Sequence, residues 1–477
     1  MQITLPLSLK TRKRATSANP SFSNWNLTKV IGRGIAPRLF LYLCRLKFER
    51  MKINIITLGC SKNVVDSEVM AAQLHRNGHE LYYESAQKSD VVIINTCSFI
   101  HDAREESVNE ILQQIERKKR RQIKKLYVVG CLVQRNMEEL QEALPEVDGF
   151  FTFAELPKLL ESPDFQLLNT PDRMLSTPRH YAYLKISEGC DHQCSYCSIP
   201  LIRDRQISKP IPLIVEEAQR LADQGVKELM LIAQDLTYYG IDRSGKRELA
   251  DLMDKLAQVN GIQWIRLHYA YPLNFPYEIL EVMKQYPQYC RYLDIPFQHV
   301  SDDILQSMRR GGSSAYIYDL IARIRETIPG IALRTTLISG YPTETREQHK
   351  ELVEFVRRNR FERLGVFVYS QEEDTPAYDL GDPIKASEKN KRVNEIMKLQ
   401  EKISYEINQT RVGTTMKVLI DSEEPDCYIG RTEFDSPDVD NTVFIDKSQP
   451  LTVGEFYNVK ITDAAEYDLF SSITNNP

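Results

Sequence analysis

Between residues 177 and 410 one pattern is repeated six times: a short apolar run rich in β-branched residues, followed by an amphipathic stretch at helical spacing. The runs are Ala182–Ser187, Glu228–Ala233, Trp264–His268, Tyr292–Ile295, Ala332–Ile338 and Gly365–Tyr369, separated by helical patterns such as Leu213–Gln224 and Arg346–Arg358. Few folds admit six strand–helix units in about 200 residues. Right-handed crossovers turn them into a partial or complete parallel barrel, whose chemistry sits at the strand C-termini. The pattern therefore predicts a (βα)6-type barrel core over residues 177–410, closed by the helix Lys385–Thr410.

The flanking segments have other textures. Ile53–Leu58, Val91–Asn95 and Leu126–Gly130 read as three buried parallel strands with helices between them, which predicts an open α/β domain over residues 51–168. Asp66 and Ser67 are expected to cap its first helix, which Gly78 ends, and Ala103–Ile115 supplies the second. Residues 411–477 alternate in short strands (Lys417–Asp421, Tyr428–Thr432, Thr442–Ile445, Phe456–Thr462) broken by Pro425, Pro437, Pro450 and Gly454. That pattern suits a small antiparallel barrel or sandwich.

Composition excludes several classes. The 477 residues are 42% hydrophobic and 27% charged, which argues against wholesale disorder. No apolar run approaches the ~18 residues that span a bilayer, so no membrane association is expected and a cytoplasmic location is. Net charge is −5, yet residues 1–50 hold ten Lys/Arg against Glu49 alone. A transit peptide would have this composition, and so would the product of an upstream start. Met51-Lys52 leading straight into a strand favours the latter, and residues 1–50 are expected to be disordered or to lie outside the native product.

The nine cysteines carry most of the chemical information. Cys190-Asp-His-Gln-Cys194-Ser-Tyr-Cys197 follows the first barrel strand, and packing alone does not account for three thiols within eight residues. The spacing leaves zinc or iron–sulfur. Structural zinc wants four protein ligands, and here only His192 could join the three thiolates. A three-thiolate loop with one open site suits a cubane cluster whose unique iron binds a further ligand. Cys60, Cys97 and Cys131 are spaced by one strand–helix unit each, and each directly follows one of the three N-terminal strands. Strand C-termini of an open parallel sheet share one edge, so these three cysteines are expected to face one another. An isolated cysteine is usually packing, and Cys44, Cys290 and Cys427 are assigned to packing or surface; three equivalent placements point to a second cluster.

The Cys-x3-Cys-x2-Cys loop after the first strand of a βα barrel resembles the radical S-adenosylmethionine (SAM) superfamily. That resemblance implies that Cys190, Cys194 and Cys197 hold a 4Fe-4S cluster, that the fourth iron takes SAM, and that Tyr196 lies against SAM. Residues 51–477 as a whole resemble the methylthiotransferase family: an N-terminal domain with three spaced cysteines (51–168), a radical SAM core (177–410) and a TRAM domain (411–477). Leu58-Gly-Cys-Ser-Lys-Asn-Val-Val-Asp-Ser-Glu68, Asn95-Thr-Cys-Ser-Phe-Ile100, Tyr292-Leu-Asp-Ile-Pro-Phe-Gln-His299 and Arg334-Thr-Thr-Leu-Ile-Ser-Gly-Tyr-Pro342 are similar to the branch that modifies an aspartate of small-subunit ribosomal protein S-twelve. Ala233-Gln-Asp235 stands where the transfer-RNA branch usually shows Gly-Gln-Asn, and Arg203-Asp204 replaces an Arg-Gly pair common after the cluster loop. The resemblance implies an enzyme with two 4Fe-4S clusters, the auxiliary one on Cys60, Cys97 and Cys131, and no catalytic residue beyond the cluster ligands. It would use two SAM, a sulfur donor and a reducing electron donor to methylthiolate the aspartate β-carbon.

Two other functions share parts of this pattern: a transfer-RNA adenosine methylthiotransferase, and a non-catalytic iron–sulfur carrier. A carrier needs no six-unit barrel. Against RNA, residues 411–477 hold five Lys/Arg and thirteen Asp/Glu, a net of −8. Acids around Pro425 (Glu423, Glu424, Asp426) and around Pro437 (Asp435, Asp438, Asp440) are expected to repel phosphate and attract a basic ribosomal protein, free or in the small subunit. The basic run Arg117–Arg121 with Lys124-Lys125 reads as a solvated helix end, so no direct sequence-specific nucleic-acid binding is expected.

Overall fold

The computed structural model describes residues 50–474. The expected N-terminal extension, apart from Arg50, and Cys44 lie outside the described residues.

Five parallel strands form the N-terminal sheet: β1 (Lys52–Thr57), β2 (Glu80–Tyr83), β3 (Val91–Thr96), β4 (Lys125–Gly130) and β5 (Gly149–Phe151), in the order β2-β1-β3-β4-β5. β3 is buried along its whole length because helices cover both faces. Ile55, Val69, Leu74 and Ile93 pack on one side, and Ile94, Ile111, Ile115 and Val128 on the other. The edge strands β2 and β5 were not anticipated; at four and three residues they are too short to show a period. The first helix also begins earlier than expected, at Ser61 directly after Cys60, and runs to Arg76. Asp66 and Ser67 therefore do not cap it. They are buried in its interior, where Asp66 is held by Lys185 and Arg203 and the Ser67 hydroxyl meets Thr57 and Asn95.

All six expected barrel strands are present. β6 (Tyr181–Lys185) precedes a small antiparallel pair, β7 (Ser187–Glu188) and β8 (Ile207–Ser208), which brackets the cysteine loop. β9 (Glu228–Ile232), β10 (Trp264–Leu267), β11 (Tyr289–Asp294), β12 (Ala332–Ser339) and β13 (Arg363–Val368) complete an open parallel sheet in the order β6-β9-β10-β11-β12-β13. This is a partial barrel rather than a closed one. Its core joins Leu184, Leu229, Leu231 and Ile265 to Leu221, Leu252, Ile324 and Leu352 of the surrounding helices.

The C-terminal strands β14 (Thr415–Glu423), β15 (Cys427–Thr432), β16 (Thr442–Asp446), β17 (Phe456–Ala464) and β18 (Asp468–Ile473) close into a barrel, which decides between the two expected architectures. The segment between β15 and β16 docks on the large sheet. Arg266 donates to the Glu433 carbonyl at 2.7 Å, Arg363 Nε to Asp435 at 3.0 Å, and Tyr292 Oη to Asp440 at 2.8 Å. This corrects the charge argument: Asp435 and Asp440 are buried and used inside the molecule, and of the Pro437 group only Asp438 is exposed. The Pro425 group remains at the surface, with Glu423 paired to Lys447. Formal charge counted from sequence overstates the acidic surface because it cannot see which carboxylates already have partners.

Candidate cluster-binding site

Each N-terminal cysteine stands where a strand hands over to a helical segment, the one at Cys131 being kinked at Asn136. Cys60 precedes Ser61–Arg76, Cys97 precedes His101–Lys119 by four residues, and Cys131 opens Cys131–Ala143. Helix N-termini favour negative charge, so this edge suits thiolates. Gly59 makes the close approach possible. Its φ is +91°, and a Cβ there would lie 2.6 Å from Cys97 Cβ and 2.7 Å from its Sγ. Burial pushes the Cys131 thiol up to about 12; Arg203 opposes that rise, and Cys60 and Cys97 add to it. Burial likewise raises Cys97, with the Phe99 N–H opposing and Cys60 adding. Cys97 and Cys131 are thus buried within electrostatic reach of Cys60, which itself is exposed. Among the described residues, no three His, Cys, Asp or Glu close on the geometry of a single metal ion. An iron–sulfur cubane instead takes each thiolate on a different iron. The Ser61 and Ser98 hydroxyls, next to Cys60 and Cys97, are buried without a hydrogen-bond partner, which fits a polar group seated there.

The barrel trio lies between β7 and β8. Burial pushes Cys190 and Cys197 up to about 12; among the lesser causes, Cys194 raises both. Arg310 donates toward Cys194 Sγ at 3.7 Å and to Tyr196 Oη at 3.2 Å, and its guanidinium stacks 4.5 Å from the Tyr271 ring. A buried cation beside three thiolates offsets their charge. His192 is held in place by its neighbours. Its Nε2 lies 2.7 Å from Asp235 Oδ2 and its ring stacks on Tyr271 at 3.9 Å. Tyr196 is half-buried beside Ile304, Met308 and Tyr341, and burial raises its hydroxyl well above the usual value.

A buried charge network links the barrel chain to the N-terminal trio. Arg203 sits six residues after Cys197, yet it donates to Cys131 Sγ at 3.4 Å, Asn63 Oδ1 at 2.5 Å, Asp66 at 2.6 Å and Glu188 at 3.1 Å. Lys185, at the end of β6, holds the same Asp66 and Glu188. Glu68, Arg173, Glu217 and Lys209 form a second chain beside it. Sequence reasoning registered Arg203 only through its neighbour: Asp204 occupies φ +62°, ψ −160°, a region open essentially to glycine alone. That is the physical reason for the Arg-Gly pair common at this point. Arg310 and Glu188 carried no local signal, whereas Asp66 stood out only as an expected helix cap and Asp235 only as a mark of the branch. The basic run behaves as expected: Arg117, Lys118 and Lys119 are the last turn of a helix, with Lys118 on Asp148 and Lys119 on Glu116 and Glu146.

The comparisons agree with this layout. Residues 52–152 match the uncharacterized protein family UPF0004, residues 184–356 the radical SAM superfamily and residues 412–473 the TRAM domain. The structure of the radical S-adenosylmethionine methyltransferase TsrM from Kitasatospora setae, solved with cobalamin and a [4Fe-4S] cluster, superposes with a TM-score of 0.53 at 14% identity over 80% of each chain, a likeness of fold. Fold and thiol loop together define a radical SAM enzyme with an appended TRAM barrel. The ribosomal protein uS12 methylthiotransferase RimO of Christiangramia forsetii is 50% identical over 90% of this chain and 95% of its own length. That of Flavobacterium johnsoniae is 51% identical over 88% and 98%. The chain belongs to the ribosomal protein uS12 methylthiotransferase RimO family.

Proposed function

We propose that this enzyme transfers a methylthio group to the β-carbon of an aspartate in ribosomal protein uS12, with Cys190, Cys194 and Cys197 holding the SAM-cleaving 4Fe-4S cluster and Cys60, Cys97 and Cys131 the auxiliary one. The observation that carries the reading is the pairing of two separate thiol trios, each on the C-terminal edge of its own parallel sheet, with Arg203 of the barrel chain reaching Cys131 of the N-terminal trio. When bound, the two clusters and two SAM supply radical abstraction of a β-hydrogen and methylation of a sulfur. The protein's own groups do the rest. Arg203 and Arg310 offset thiolate charge, Tyr196 with Arg310 offers a wall for SAM, and burial of Cys97, Cys131 and Cys194 keeps water from those thiols. An external reductant and a sulfur donor complete the reaction, which we place in the cytoplasm; no helix of the described residues is long and apolar enough to cross a membrane. The partner is a basic protein rather than a nucleic-acid sequence, since Lys118, Lys119 and Lys124 of the basic run are paired within the chain and Glu424 and Asp426 stay exposed.

Mass spectrometry of ribosomal proteins and of digested transfer RNA, from cells with and without the gene, tests this. One methylthio group is expected to vanish from uS12. Its loss from transfer RNA with uS12 unchanged would transfer the assignment to the RNA-modifying branch. Reduced, reconstituted protein that yields no 5′-deoxyadenosine from SAM would leave only an iron–sulfur carrier.

A further inference from the structure

Four lysines of the described chain are buried: Lys62, Lys185, Lys209 and Lys389. Lys185 has Asp66 and Glu188, Lys209 has Glu217, and Lys389 has Asp382. These three obey the rule that a charge removed from water needs an opposite charge beside it. Lys62 does not. It is 8% exposed, and among the described residues no carboxylate lies within 4.0 Å of its ammonium. Its near partner is the face of Tyr269, whose ring centre is 3.1 Å from Nζ.

The position of this cation is informative. Lys62 is two residues past Cys60 in the first turn of the Ser61–Arg76 helix, and Tyr269 lies just past the C-terminal end of β10. The ammonium therefore occupies the junction between the trio-bearing edges of the N-terminal sheet and the barrel. Tyr269 is held there in a left-handed backbone conformation, φ +64°, with its N–H on Asp294 at 3.2 Å. Such a strained placement persists only where its surroundings enforce it. The junction is also rich in positive charge. The neighbouring His268 is kept neutral first by burial and then by Arg266, Arg334, Lys62 and Arg431. Of these cations, Arg266 is paired with Glu228, Arg431 with Glu228 and Asp421, and Arg334 with Asp294 and Asp440. Lys62 is the cation left over.

We propose that Lys62 binds the side-chain carboxylate of the substrate aspartate and makes the site specific for an acidic side chain. The inference rests on the reading of uS12 as substrate and adds the residue that recognises the group to be modified. The carboxyl carbon of aspartate is bonded directly to the β-carbon, so anchoring the one fixes the other to within a bond length. A carboxylate paired with Lys62 would also supply the opposite charge that the described residues do not, and a charge pair in such a desolvated place discriminates strongly.

The test is a four-cornered binding cycle with reconstituted full-length enzyme and recombinant uS12. Affinities are measured for wild type and Lys62→Met, each against uS12 and against uS12 with the modified aspartate replaced by Asn. Wild type should bind the Asn form about ten-fold or more weakly, the scale of a desolvated charge pair, whereas Lys62→Met should bind both forms within about two-fold. Lys62→Arg should restore part of the preference. Iron content and melting temperature of the variants report folding, and the wild-type arm needs no variant at all: equal affinity for Asp and Asn forms would overturn the proposal outright. So would Lys62→Met that still prefers Asp as wild type does, including the case in which it changes only the auxiliary cluster's reduction potential, which would make Lys62 a partner of cluster sulfur instead. Wild-type enzyme that neither binds nor modifies uS12 is a different result; it refutes the proposed substrate.

Discussion

The two cysteine trios reach similar surroundings by opposite routes. The barrel trio is local: eight residues between β7 and β8 carry all three thiols, and one turn of chain sets their spacing. The N-terminal trio is dispersed over 72 residues of sequence and assembles only because β1, β3 and β4 are adjacent and parallel in the folded sheet. A loop can hold its geometry through short-range contacts, whereas a sheet edge holds it through the whole domain. Yet in both places burial raises the thiols and a buried guanidinium opposes the rise, Arg310 at Cys197 and Arg203 at Cys131. The difference teaches that the barrel site can be altered without the sheet, while the sheet-edge site depends on the interface with the barrel, since its cation comes from the barrel chain.

The sharpest way to break the comparison is to remove each trio in turn. Replacing Cys190, Cys194 and Cys197 by Ala should lose about half the iron and all SAM cleavage, because the cofactor carries chemistry that no side chain here can replace. Persistent 5′-deoxyadenosine from that variant would end the assignment of the barrel loop. Replacing Cys60, Cys97 and Cys131 should also lose about half the iron and abolish sulfur transfer to uS12, but leave uncoupled SAM cleavage measurable. If cleavage vanished as completely as in the first variant, the trios would not be separable functions.

Arg203 is where the comparison meets a single residue. Arg203→Met would leave Asp66 and Glu188 with Lys185 alone and strip the Cys131 thiol of its cation. Breaking a buried charge set in this way costs about 3–5 kcal/mol, so a large drop in melting temperature is expected, with a smaller one for Arg203→Lys. A melting temperature within a degree or two of wild type would show that the network does not hold the two domains together.

How much of this was legible in sequence follows the same division. The barrel trio could be read from one line of residues, and the six strands around it from their repeat. The N-terminal trio required a topological step, and it was available because Cys60, Cys97 and Cys131 each follow a strand directly. What escaped was pairing at a distance. Arg203 with Cys131, Arg173 with Glu68 and Arg363 with Asp435 join segments 70 or more residues apart, and a sequence shows the charge without its partner. The same blindness produced the excess of acidic surface assigned to residues 411–477, and it hid Lys62, whose significance is that no carboxylate among the described residues pairs with it.

The smallest expected effect sharpens the contrast in backbone rather than in charge. The turn into Cys60 uses glycine at its left-handed position, Gly59, so that site stores little strain. The loop of the barrel trio is different. Gly189 is wedged so tightly that a Cβ would lie 2.0 Å from the Arg205 carbonyl oxygen, and the Asp204 carbonyl that presses on it accepts the Cys190 N–H at 3.1 Å. Asp204 thus carries a conformation suited to glycine in order to hold Cys190 in place, at a cost of order 1 kcal/mol or somewhat more. Asp204→Gly should relieve that cost, less the entropy glycine adds to the unfolded chain, and lose only the hydrogen bond that the carboxylate accepts from the Arg205 N–H at 2.9 Å. The variant is expected to melt slightly higher than wild type, with iron content and SAM cleavage unchanged. A lower melting temperature would mean that the aspartate side chain contributes more than its backbone costs, and that the departure from Arg-Gly stabilises this loop rather than straining it.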